Sequence, residues 1–544
     1  MQPENAFEEN RRTFLRALTA ASAGGLGALS GCLGNGDSTD STTSDASNPT
    51  ATSDATDLDE LDIVITDAAD LLDPHQTGSI PLMMVMSHGY EGLLGRNAAG
   101  DIQPELATDW ERIEDGQFRF ELREGVVFHD GTEFTAEDVR YNVRRIIDPD
   151  FDIVSDRQAT LDGITDVEIV DDYTVDIISD GLNTNVIPAF ASYLGLLIIN
   201  SEWIEGTDTQ TVSSEINGTG PFRLIEYEEA ETAVFEPFED YWGDVPPFET
   251  VSFTYSGESS TRVNRLLAGE SHLAESIPPA DVPRVDEEDN LSVETIPSSR
   301  VIHGVMDITQ EPWDNIDFRR AMNYAVDVEG YIDNILSGFG EVSTQPTLPE
   351  MFGYNPDIEP FGYDPDLAAE LVEESGHAGI ELELTVPVGR YLLGEEFGTA
   401  IAGMIDDLPN VSCEPQLLDF ATFATQWIDT QPEEMDFFLV GYGHPSYDGA
   451  QSIGNMILDD RLGRYGGEYG GDALDDIEPV YREALQTADD NDREALLQEA
   501  NRLAVDDVCW VFLHQQQSVY GVNDALEWEP RHDELMTARN AGIR

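Results

Sequence analysis

The chain of 544 residues carries 109 aspartates and glutamates against 27 lysines and arginines, a formal charge of −82, and every one of those cations is arginine. That charge argues against nucleic acid or anionic lipid as a partner, while 40% hydrophobic residues argue against a chain that stays disordered. A surface this acidic repels itself in dilute buffer, but at molar salt the Debye length falls to about 3 Å, so the composition reads as halophilic.

In chain order, Asn10-Arg11-Arg12-Thr13-Phe14-Leu15-Arg16 resembles a twin-arginine export signal. The weakly apolar Ala17–Leu29 stretch that follows is shorter than the ~20 residues a membrane-spanning helix needs. Its charged front and small-residue end suit cleavage. Leu29-Ser30-Gly31-Cys32 then resembles a lipobox, so residues 1–31 are expected to leave as a signal peptide and Cys32 to carry a lipid. Residues 32–60 are Ser, Thr, Asp, Ala and Gly with almost nothing to bury, a flexible tether reaching about 30 Å.

Beyond Leu61, strands and helices interleave in an α/β pattern with no internal repeat. Asp62–Ile65 reads as a first strand, and Phe118–Leu122 alternates apolar and polar residues. Val167–Val170 and Thr174–Ile178 form an expected hairpin around Asp171-Asp172. Thr135 with Asp138 predicts a capped helix through Ile147. Asp364-Pro365 opens another helix that Gly376 ends, and Asn491 with Glu494 predicts a third. Val508–Leu513 is a last apolar strand. Cys413 and Cys509 read as small buried hydrophobes, with a disulfide left open.

Several segments, in order, resemble the extracellular solute-binding proteins of family 5, which feed peptide and nickel ABC importers. They include Gln103-Pro104-Glu105-Leu106-Ala107-Thr108-Asp109-Trp110, Phe120–Gly131 with Phe134–Val139, Gly218–Phe222, Tyr241-Trp242-Gly243, Arg265–Glu270 and Phe318–Asp327. With the lipobox and the charge, the whole resembles a lipoprotein of the haloarchaeal type. The resemblance implies a two-lobe fold of the periplasmic-binding-protein kind, type II, with an extra subdomain in lobe I. Lobe I is expected over residues 61–302, its subdomain over about 93–215, lobe II over 303–510, and a return to lobe I over 511–544. The strands crossing between lobes are placed near Arg300–Asp307 and Val511–Tyr520. Motifs such as His129-Asp130-Gly131 report turns of this fold rather than chemistry.

The same resemblance implies a solute enclosed between the lobes and three stretches facing it. The first holds Thr77, Gly78 and Ser79. The second holds Arg390, whose planar fork suits a ligand carboxylate, and Tyr391. The third holds Tyr442, His444, Tyr447 and Asp448. In peptide-binding relatives an aspartate here holds the peptide ammonium, but Pro445 stands at its place. Either Asp448 takes the role or the protein needs no ammonium anchor. No catalytic motif such as G-x-S-x-G or H-E-x-x-H is present, and no grouped histidines or cysteines suggest a metal. The expectation is a non-enzymatic, lipid-anchored monomer without cofactor, outside the cell membrane. It would bind a di- or oligopeptide, or alternatively an oligosaccharide or nickel chelate, and serve ABC permease subunits with their ATPases.

Overall fold

The computed structural model describes residues 58–66, 71–76 and 80–544, apart from 152, 154, 159, 193–194, 309, 421, 424–425, 427–434 and 459–471. The export signal, Cys32, nearly all of the tether, and Thr77, Gly78 and Ser79 therefore lie outside the described residues. In chain order the first strands are β1 (Glu60–Ile65), β2 (Leu94–Arg96), β3 (Ile102–Pro104), β4 (Ala107–Glu114), β5 (Gln117–Leu122), β6 (Ile164–Asp171), β7 (Thr174–Ser179), β8 (Phe222–Glu228) and β9 (Thr232–Pro237). There follow β10 (Thr250–Tyr255), β11 (Leu273–Ala274), β12 (Leu291–Met306), β13 (Gly340–Val342), β14 (Ile380–Val388), β15 (Val411–Asp419), β16 (Phe437–Gly443) and β17 (Trp510–Asn523).

One large sheet runs β15-β14-β16-β12-β17-β11-β1-β10-β9-β8, with β13 pairing β17 to one side. At its centre β12 and β17 are long and antiparallel, from Leu291↔Asn523 to Val305↔Trp510. One end of this pair joins β16, with β14 and β15 beyond it. Through Leu273↔Val522 the other end joins β11, and then β1 and β10. The sheet thus has two arms connected by two strands. Each arm has its own core: Ile63, Met84, Phe235 and Phe253 in one, Phe318, Leu384, Ile401 and Phe437 in the other. A second sheet, β4-β5-β7-β6, stands apart. It packs Phe118, Phe120 and Ile177 against Val139, Val143 and Ile146 of the helix Ala136–Ile147.

Local sequence explains several boundaries. Thr135 and Asp138 form the expected capping box, with the Thr135 N–H donating to Asp138 Oδ2 at 2.9 Å. Asp364 caps Pro365–Ser375, and Gly376 ends it at φ 84°, where a side chain would be strained. Two boundaries differ from expectation. The helix Asp490–Asp506 is capped by Asp489, which accepts from the N–H groups of Asn491 and Asp492, so Asn491 lies inside the first turn. The last strand starts at Trp510, not Val508, and runs to Asn523. It continues through Gln515 and Gln516 because their amides donate to Ser298 O at 2.8 Å and Glu534 Oε1 at 3.0 Å. Cys413 and Cys509 are both free and buried.

Candidate ligand-binding site

The register of β12 against β17 slips between Pro297 and Val301, where the paired strands pass from one arm to the other. A bulge frees backbone groups from the ladder and re-aims side chains, and here it docks two segments. On one side Ser299 N–H donates to His532 O at 2.6 Å. On the other, His444 N–H donates to Ser299 O at 2.9 Å. Ser298 donates through its hydroxyl to Glu534 Oε1 at 2.5 Å. Arg300 completes the junction with Nε at 3.1 Å from Glu534 Oε1, Nη2 at 2.7 Å from Oε2, and Nη1 at 3.1 Å from Gly441 O. Burial alone would raise the Glu534 carboxyl, but the Arg300 charge and the hydrogen bonds outweigh it and hold it below the ordinary glutamate range.

Two spaces open near this junction, one lined by the pair itself and one beside the C-terminal segment. A crevice with about 20 Å³ of free space, room for about one water, is lined by Glu275, Ser276, Arg300, Arg390, Gln516 and Glu534. The larger cavity, about 600 Å³, lies in the first arm beside the C-terminal segment and falls in the range of small-molecule sites. Arg96, Glu105, Tyr241, Trp242, Arg531, Asp533 and Arg539 supply its polar lining. Arg539 bridges two acids, with Nη2 at 2.6 Å from Glu91 Oε1 and Nη1 at 2.7 Å from Glu105 Oε1. Glu91 is fully buried and also accepts from Thr219 at 2.8 Å, Tyr241 at 2.9 Å and Trp242 at 2.9 Å. Burial pushes its carboxyl up to about 7 against the pull of Arg539. Arg531 donates through Nε to Asp533 Oδ1 at 2.9 Å and through Nη2 to Arg96 O at 3.1 Å.

The residues expected from sequence fall in distinct places. Arg390 lines the crevice, its guanidinium 5.4 Å from the Phe420 ring, with no hydrogen-bonded or ion-pair partner among the described residues. Tyr391 is buried, and its hydroxyl accepts from Gly441 N–H at 2.7 Å, pinning the end of β14 to β16. A Cβ on Gly441 would stand 2.7 Å from Tyr391 Cε1 and 2.6 Å from Ile302 Cδ1, so this approach requires glycine. Tyr442 is half-buried and stands edge-on to His444, with centroids 5.1 Å apart. His444 is fully buried, its Nδ1 donating to Ser299 O at 2.9 Å, and burial pushes the imidazole down to about 4. Tyr447 has φ 54° and packs its ring under Arg96, 5.1 Å from the guanidinium carbon.

Asp448 is buried and both its oxygens are taken. Arg493 Nη1 and Nη2 each lie 2.8 Å away, and Ala450 N–H donates to Oδ1 at 2.9 Å. The acid thus caps the short helix Gly449–Ile453 and neutralises an arginine. Arg493 in turn donates through Nε to Thr184 Oγ1 at 2.8 Å, linking this segment to the region of the second sheet. Tyr391, Tyr442, His444, Tyr447 and Asp448 line neither cavity. Sequence reasoning missed Arg96, Arg531, Asp533, Glu534 and Arg539. The available signal was the rarity of cations, since three arginines fall within the last fifteen residues.

Comparison with known proteins places this architecture. Residues 101–461 match the family described as bacterial extracellular solute-binding proteins, family 5 middle. The chain is 28% identical over 312 residues to the dipeptide-binding protein of Escherichia coli, covering 53% of this chain and 58% of that protein. It is 28% identical over 305 residues to heme-binding protein A of Haemophilus influenzae, covering 52% of this chain and 55% of that protein. The matched parts thus span little more than half the length of these relatives. Over 89% of this chain and 100% of the other, the fold superposes with TM-score 0.81 and 17% identity on the dipeptide binding protein of Pseudoalteromonas sp. SM9913 in complex with Met-Leu. The fold is that of the periplasmic binding proteins.

Proposed function

Because the chain belongs to the bacterial extracellular solute-binding proteins of family 5, we propose that it captures a di- or oligopeptide outside the cell and delivers it to the permease subunits of an ABC importer. The observation that carries this reading is a pair of spaces, one of ligand size beside the C-terminal segment and one lined by Arg300, Glu534 and Arg390. In this reading residues 61–302 with 511–544 form lobe I and residues 303–510 form lobe II. The lobes close over the solute about β12 and β17. The similarity to the dipeptide-binding protein of Escherichia coli supports a peptide as first choice. The protein acts as a monomer by stoichiometric capture rather than turnover, without a cofactor. Twin-arginine export and a lipid on Cys32 keep it at the outer face of the membrane, where tethering raises its effective concentration near the permease. The halophilic surface fits a folded state maintained in molar salt.

Mass spectrometry of solute released from protein purified in molar salt tests the reading directly. A released peptide supports it. A bound oligosaccharide, with no peptide raising the melting temperature, refutes the peptide assignment. Arg390→Ala should weaken a carboxylate-bearing solute about tenfold or more and leave an uncharged sugar nearly unchanged.

A further inference from the structure

The sequence holds the acceptor pattern for asparagine-linked sugar, Asn-x-Ser/Thr with x other than proline, at three places. They are Asn217-Gly218-Thr219, Asn290-Leu291-Ser292 and Asn410-Val411-Ser412, while in Asn48-Pro49-Thr50 the proline bars the pattern. The modification needs the amide nitrogen Nδ2 free and within reach of another protein, with the hydroxyl two residues further on. A protein that leaves the cell already folded offers only the sites its surface leaves open, so the fold itself ranks the three.

Two of them are closed. Asn217 is 5% exposed, and its Nδ2 donates to Asp130 Oδ2 at 2.8 Å. Thr219 is fully buried and donates its hydroxyl to Glu91 Oε2 at 2.8 Å. Asn410 lies nearer the surface, but its Nδ2 donates to Ala369 O at 2.9 Å and to Glu373 Oε1 at 3.2 Å. Both of its amide protons are thus committed, and a sugar on that atom loses at least one of the bonds. Asn290 differs on each count. It is exposed, in the turn between the short helix Val282–Asp286 and β12, and no hydrogen bond holds its side chain among the described residues. Its backbone carbonyl accepts from Asp524 N–H at 2.9 Å, which fixes the turn. Leu291 is buried with Val263, Leu266 and Val285, and strand alternation turns the half-buried Ser292 away from that core. Here β12 pairs with β17 on one side, and β16 joins its other side only from Arg300 onward. Roughly 23 Å of strand separates Asn290 from the register slip that begins at Pro297, so a glycan there is rooted clear of the Arg300–Glu534 junction. The preceding Asp286-Glu287-Glu288-Asp289 would repel a phosphate-bearing donor in dilute buffer, but a Debye length of about 3 Å at molar salt removes that barrier.

Resting on the export proposed above, we infer that Asn290 is an N-glycan acceptor at the outer face of the membrane, and that Asn217 and Asn410 stay bare. The donor class is a lipid-phosphate-linked oligosaccharide, presented by a membrane transferase. Asn290 Nδ2 attacks the anomeric carbon, so the C1–N bond forms. The C1–O bond to phosphate breaks with its electron pair, and the amide proton ends on the departing phosphate. Peptide mapping by mass spectrometry tests this on full-length protein purified from the membranes of the cells that make it, with the N-terminal peptide read in the same digest. The expected result is a saccharide mass, with sugar fragment ions, on the peptide holding Asn290 and unmodified masses on those holding Asn217 and Asn410. Asn290→Gln and Ser292→Ala should each abolish that mass, and a mass that survives either variant overturns the inference. The wild-type map needs no variant to fold. A bare Asn290 on protein processed at Cys32 overturns the inference while export stands. A glycan on Asn217 or Asn410 overturns the ranking by exposure. An intact signal segment on unmodified protein overturns the export reading and the inference together.

Discussion

Replacing Glu534 by Gln removes one charge from the junction and almost no volume. Arg300, only 6% exposed, would keep its charge and its bond to Gly441 O and lose the Glu534 carboxylate. Breaking one side of a buried pair costs about 3–5 kcal/mol, because the remaining charge stays desolvated. For the body from Thr56 to Arg544, about 2.1 cal/mol/K per residue gives an unfolding entropy of roughly 1 kcal/mol/K, so the midpoint should fall by about 3–5 °C. The double variant Arg300→Met with Glu534→Leu should recover part of that loss because no buried charge remains, while the Gly441 carbonyl, the Ser298 hydroxyl and the Gln516 amide each lose a partner at about 1 kcal/mol. Denaturant melts of wild type, Arg300→Met, Glu534→Leu and the double variant at one salt concentration close the cycle, with Glu534→Gln measured beside them. If Glu534→Gln costs less than about 1 kcal/mol, or if the double variant loses the sum of the single losses, the junction is not held by this pair.

Other outcomes follow from the same geometry. Arg493→Ala should destabilise by about 3 kcal/mol, measured by denaturant midpoint, because Asp448 would stay buried without its partner. Asp448→Asn should cost less if the helix cap on Ala450 survives. Burial pushes His75, His88 and His444 down to about 4 and His514 to about 3. Their folded pKa values lie below the unfolded 6.5, so this stability is complete above about pH 6.5 and is lost as pH falls towards 4. The slope is up to about 1.4 kcal/mol per pH unit for each histidine. A flat stability profile across that window contradicts their buried neutral state. Cys32→Ser should release the protein from membranes into the medium, read by fractionation; retention in the membrane fraction defeats the lipid anchor.

Where the physics is local, the sequence is readable. Thr135 with Asp138, and Asp364-Pro365 followed by Gly376, each act within about one helical turn and appear as expected, and the β6–β7 hairpin forms with its turn one residue later, at Asp172-Tyr173, because Asp171 pairs with Thr174. The start of the last long helix shifted to Asp489 because neighbouring acids and amides compete for the same cap. The end of β17 was hidden because glutamines look like loop residues until Ser298 and Glu534 are seen to satisfy them. Site chemistry is read least well. Arg390 could be singled out by its surroundings in sequence, but Arg300 meets Glu534 across 234 residues, and no spacing rule reaches that far. Asp448 illustrates the converse: its position suggested a ligand anchor, and only the arrival of Arg493 from a distant helix accounts for its charge.

The hook made by the C-terminal segment also sets a timetable for synthesis. Glu91 emerges 448 residues before Arg539, its only arginine partner among the described residues, and Arg300 emerges 234 residues before Glu534. At roughly 5–20 residues per second, Glu91 waits on the order of 20–90 s for its counter-charge. The first arm is therefore among the earliest parts to be made and among the last to be finished. A ribosome stalled near the end of the message would hold a chain with most of its strands and an uncompensated interior. A protein assembled in this order completes the interior of its first arm only after Arg539 has left the ribosome.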